Sequence, residues 1–176
     1  NKLTYSVNAR GSWLNFYINN LLKKYTKYDD IFLKYHDILG KFTYHFTPYN
    51  SLSISLYNGA DRFYLTKTST LVNEEEDYTL KVYDKNGIAW GNRIASLKWN
   101  YLIGSKLSLK AQTGYIKYEN NARSSYIFNN ILQDTNKVDQ LDVWSQTNII
   151  DYNVRLDMDY YVDDQHVIRA GFNVLD

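Results

Sequence analysis

Four groups of residues in this sequence have chemistry to offer. Arg10, Asp37 and Asp61 are the first. If a tight turn at Thr47-Pro48-Tyr49-Asn50 sets Phe46 opposite Leu52, Asp37 falls opposite Asp61, with Arg10 at similar height on the preceding strand. Two carboxylates that close repel each other unless a cation intervenes. The expectation is an Arg-bridged acidic pair or a cation site; the alternative is an ordinary ladder of cross-strand salt bridges. In the second group Asp159 faces Arg169 across the turn Val162-Asp163-Asp164-Gln165, with Asp157 and Arg155 beyond. Charges that alternate so regularly suit a wall better than an active site. The third is the acidic run Glu74-Glu75-Glu76-Asp77, which reads as a calcium or cationic-ligand site or as a solvated loop. The fourth is Trp13, Phe16 and Tyr17 in one connection. These rings could stack on a glycan or an aromatic ligand, or belong to a girdle of aromatics at a polar–apolar boundary.

Much is excluded. With no cysteine, the chain has no disulfide framework and no thiolate zinc site. His36, His45 and His166 are too far apart for a local metal motif. No GxSxG motif occurs, and the expectation is no enzyme and no cofactor. A net charge of +1 with scattered Lys and Arg argues against nucleic acid as a partner.

The elements that position these residues are strands. Tyr occurs 18 times, with 4 Trp, 7 Phe and a single Pro, an aromatic enrichment that favours β structure. Seven stretches alternate apolar and polar with period two. They run from Leu3 to Arg10, about Phe32 to Phe46, Ser51 to about Tyr64, about Trp90 to Leu102, Leu107 to Tyr118, about Val143 to Tyr161, and onward from His166. One face carries residues such as Leu52, Ile54, Leu97, Trp99, Val154 and Leu156. The other carries Ser53, Lys98, Gln112, Arg155 and Asp157.

The connections are expected to alternate. Three are tight, at 47–50, 103–106 and 162–165. Three are long, at about Gly11–Ile31, Lys67–Ala89 and Glu119–Asp142. Short turns at one end of a sheet and long loops at the other are the pattern of outer-membrane barrels. An apolar face about nine to eleven residues tall is enough to cross a bilayer when tilted. The mean hydropathy of −0.50 does not oppose this, because alternation hides apolar surface in the average. Tyr44, Phe46, Trp99, Tyr101 and Tyr160 gather near the tight-turn end, as interfacial aromatics do. A soluble sandwich or lipocalin-like barrel also alternates, but rarely with such loop lengths. The expected class is all-β, an antiparallel transmembrane β-barrel segment of about seven strands. Asn1 is not a Met and Asp176 falls in what reads as a strand. Residues 1–176 are therefore expected to be part of one barrel domain in a longer chain.

Several segments resemble the barrel of TonB-dependent outer-membrane receptors. They are Phe32-Leu-Lys-Tyr-His-Asp-Ile-Leu-Gly-Lys-Phe-Thr-Tyr44, Leu56-Tyr-Asn-Gly-Ala-Asp-Arg-Phe63, Trp90-Gly-Asn92 and Ala95-Ser-Leu-Lys-Trp-Asn100. The strand end Asn8-Ala-Arg10 and Gly114-Tyr-Ile-Lys-Tyr118 belong to the same pattern. The closest similarity is to the subgroup with a carboxypeptidase-regulatory-like domain ahead of the plug. The resemblance implies a barrel of about 22 strands with a plugged lumen. It also implies a bacterial outer-membrane location, nutrient uptake energised by a TonB-type transducer, and a surface lipoprotein lid as a potential partner. The plug, the TonB box and the remaining strands are absent from this sequence. The alternatives are a small outer-membrane barrel with an adhesive or structural role, and third a soluble ligand-binding β domain.

Overall fold

The computed structural model describes residues 2–12, 14–75, 77–132 and 135–176. Within them the chain runs β1 (Leu3–Gly11), α1 (Leu14–Tyr25), β2 (Asp30–Thr47), β3 (Asn50–Asn73), β4 (Tyr78–Ile103), β5 (Leu107–Leu132), β6 (Thr135–Tyr161) and β7 (Val167–Leu175). The strands form one sheet in sequence order, each antiparallel to the next. The sheet is not closed: β1 and β7 are its two edges.

Register makes the two faces explicit, because directly opposed residues share a face. One row crosses all seven strands as Leu3, Tyr44, Leu52, Trp99, Ala111, Leu156 and Phe172. The next is Tyr5, Phe42, Ile54, Leu97, Thr113, Val154 and Val174, and the one above it includes Val7, Leu56, Ala95, Tyr115 and Tyr152. This apolar band lies on what is called here the Leu97 face. The opposite, Lys98 face carries Thr43, Ser53, Lys98, Gln112 and Arg155 at the same level. Leu97, Val154, Leu156 and Phe172 are all exposed, and among the described residues Ile31 is the one buried hydrophobic side chain. No described helix is long and apolar enough to cross a membrane, which says nothing about strands.

The tight turns stand where expected. Gly104 closes β4 into β5 with φ +60, a left-handed conformation that favours glycine. The long loops do not stand as expected. Lys67–Ala89 and most of Glu119–Asp142 are strand, so β3–β4 and β5–β6 are tall hairpins. β4 alone has 26 residues, roughly 85 Å at about 3.3 Å each. The reason is chemical: alternation continues above the band, but its polarity exchanges. There the Leu97 face turns polar, with Arg93, Lys117, Asn121 and Gln146. The Lys98 face turns apolar, with Leu33, Phe63, Ile88 and Ala122 in one row. A search for one constant apolar face stops at that exchange, although the backbone does not.

Among the described residues, the first is the one long connection that leaves the sheet. β1 stops at Gly11 while β2 continues past it, and Ser12 N–H donates to the Tyr35 carbonyl at 2.9 Å. Helix α1 then covers the edge of β2. Asn15 Oδ1 accepts the Leu33 N–H at 2.8 Å, and Asn19 Oδ1 accepts the Ile31 N–H at 3.2 Å. Four helical residues rise about 6 Å and two strand residues about 6.7 Å. An i, i+4 pair of amides therefore matches alternate N–H groups of a strand edge.

Candidate functional site

The first expected cluster forms in part. Arg10 and Asp37 are cross-strand partners, and Arg10 Nε pairs with Asp37 Oδ2. The Tyr57 hydroxyl donates to Asp37 Oδ1 at 2.7 Å. Asp61 is not opposite Asp37: it faces Tyr35 and Trp90, whereas Asp37 faces Gly59. The two-residue displacement arises at the turn, where Thr47 pairs with Asn50 and Phe46 is the extra residue of a bulge between His45 and Thr47. A bulge puts two residues of one strand against one of the other, which composition alone does not announce. Each Asp37 oxygen thus already has a donor from its own sheet. Tyr57 is the participant that sequence reasoning missed; its period-two position on the Lys98 face was the available signal.

Lower on the Lys98 face the second cluster assembles as expected. Asp159 and Arg169 are partners at 3.5 Å, Lys110 reaches Asp159 at 3.5 Å, and Arg155 pairs with Asp157 at 2.8 Å. These charges line a polar cleft of about 440 Å³. Every acid here is balanced by a neighbouring cation, which makes a charged wall and leaves no unpartnered general base. Among the described residues no group of three or more His, Asp or Glu could hold a metal ion.

Of the aromatic trio, Tyr17 is exposed on α1; Trp13 and the Phe16 side chain lie outside the described residues. The expected aromatic loop is thus, for Phe16 and Tyr17, a helix against the β2 edge. In the acidic run Glu74 and Glu75 follow β3 in an exposed turn, with Glu75 N–H donating to Asn73 Oδ1 at 3.2 Å. Asp77 has φ 47, and Glu76 lies outside the described residues. The turn-end aromatics pack in pairs. Tyr44 and Phe46 meet edge to face at 5.0 Å, Trp99 and Tyr101 lie 5.6 Å apart, and Trp99 Nε1 donates to Asn50 Oδ1 at 2.8 Å.

The Lys98 face holds a second recess above the band. Phe63, Leu65, Ile88, Ala122 and Val143 contribute to a cleft of about 320 Å³. One continuous wall thus presents charge at its lower level and apolar surface at its upper level. No family model matches the chain, and no curated protein matches it.

Proposed function

We propose that this chain is a wall segment of an outer-membrane β-barrel of the TonB-dependent receptor type, serving nutrient uptake. One observation carries the membrane part: three successive apolar rows run across the open sheet on the Leu97 face, backed by a polar face. Soluble monomers rarely leave so extensive an apolar surface bare, whereas a barrel turns such a band to lipid and its polar face to the lumen. The paired aromatics at the turn end suit the interface on that side. The receptor part is supported by the height of the hairpins and by the balanced charges on the Lys98 face, which suit a water-filled or protein-filled lumen. In this reading the lipid-facing band anchors the wall. The tall hairpins stand outside the cell and guide the nutrient, and a TonB-type transducer and any lipoprotein lid act through other parts of the assembly. An unpaired sheet edge is untenable in hydrocarbon, so further strands flank β1 and β7.

The test is the mass and location of the native polypeptide. Recovery from the outer-membrane fraction at several times the 20.8 kDa of these residues supports the receptor. Recovery there near 20.8 kDa overturns the receptor and leaves a small barrel. Recovery in the soluble fraction overturns the membrane reading itself.

A further inference from the structure

One pairing in the sheet is left uncompensated by its own chemistry. Lys34 and Arg62 stand directly opposite each other on β2 and β3, both exposed on the Leu97 face. Like charges at opposed positions destabilise an antiparallel pair. Among the described residues no carboxylate pairs with either, and their row continues through Ala89, Asn121 and Gln146. The neighbouring cations on the same face are treated differently. Arg93 and Lys117 share Glu119 at 3.5 and 2.7 Å, and Arg123 holds Asp142 at 3.3 Å. The sheet balances those three cations with its own carboxylates and leaves the Lys34–Arg62 pair for a counter-ion from outside.

Position says which counter-ion. Along β2 the last apolar residue below Lys34 is Ile38, and along β3 the last large one below Arg62 is Leu56, four and six residues away. That is about 13–20 Å along the strands, or roughly 9–14 Å in height at a tilt near 45°. The interfacial layer extends about 5–8 Å beyond the hydrocarbon, and Lys and Arg stems reach back toward it while keeping their charge wet. We infer that Lys34 and Arg62 together bind the phosphate of an anionic lipid headgroup, one without a cationic group of its own, in the leaflet at the tall-hairpin end. Arg62 offers a planar fork that matches phosphate, Lys34 a point charge beside it, and the phosphate relieves the repulsion between them. The inference rests on the membrane reading above.

The full chain is refolded into phosphatidylcholine vesicles, and into the same vesicles doped with phosphatidic acid. Two cations near an anionic surface give a gain in association on the order of 30-fold. Lys34→Gln with Arg62→Gln abolishes that gain and leaves phosphatidylcholine association unchanged. In detergent without phosphate the double variant is no less stable than the parent, since the like-charge pair is gone. Equal association of the parent with both vesicles overturns the site and leaves the membrane reading standing. So does a gain that survives in the double variant. A parent that gains nothing from phosphatidic acid yet binds inorganic phosphate in detergent through this pair assigns it to a soluble anion and overturns the lipid. No association with either vesicle overturns the membrane reading and the site together.

Discussion

Asp163 accepts hydrogen bonds from the backbone N–H groups of Gln165 and His166 and from the His166 ring, at 2.8–2.9 Å, in the turn between β6 and β7. The Gln165 N–H first, then the His166 ring, hold its carboxyl below the usual range. A depressed folded value means that Asp163 stabilises the turn above the unfolded value, near 3.9, and loses that contribution as pH falls through the folded one. The protection of the Gln165 and His166 amides against exchange, relative to an unstructured chain at the same pH, should therefore fall on acidification below about pH 4, and Asp163→Ala should show the low protection at neutral pH. Two glycines make a sharper contrast. A Cβ on Gly91 would lie 2.9 Å from the backbone carbonyl of Gly59, which cannot swing away. Gly91→Ala should cost about 1–3 kcal/mol by overpacking, read as a lowered midpoint in denaturant. A Cβ on Gly87 would overlap the ring of Tyr64, which can swing, and stand 3.1 Å from the Phe63 backbone carbonyl. Gly87→Ala should then cost less than Gly91→Ala, with the ring displaced from beneath Lys85, which lies 5.7 Å from its centre. Little of this was legible in sequence: Arg10 and Asp37 were matched, but the Phe46 bulge moved Asp61 away, and Tyr57 took its place.

Helix α1 replaces a strand that β1 does not supply. Its amides at Asn15 and Asn19 occupy the β2 edge where a neighbouring backbone would otherwise pair. Asn15→Ala with Asn19→Ala should leave two edge N–H groups without acceptors, each costing about 1–3 kcal/mol where water is excluded. Hydrogen exchange at Leu33 and Ile31 is the direct measurement, with Phe42 as an unaffected control on the same strand. The existence, order and faces of the seven strands were legible because alternation reports which side is dry. Their full lengths were not, since from Arg93 and Lys117 onward the Leu97 face turns from apolar to polar and the pattern changes phase. The helix had a signal of its own, since Leu14, Ile18, Leu21 and Tyr25 recur at i, i+4, i+7 and i+11; a search for period two alone passes over it.

At the scale of the whole molecule the two faces make opposite demands. Leu97→Arg places a charge in the middle of the apolar band and should cost about 2–4 kcal/mol in a bilayer. Lys98→Arg, one residue along and on the other face, should cost less than about 0.5 kcal/mol. Refolding of the two variants in phosphatidylcholine vesicles, followed by denaturant titration, measures the difference; equal costs would remove the lipid-facing assignment of the band. The unclosed meander has a further consequence that follows from counting directions. With each strand reversing the last, β1 and β7 point the same way. Joining them directly, or abutting β7 of one copy with β1 of another in the same orientation, would create a parallel seam. An unbroken antiparallel ring is completed only when an odd number of strands bridges the gap; a second such wall meets that count only if it stands inverted, with its tight turns at the opposite end.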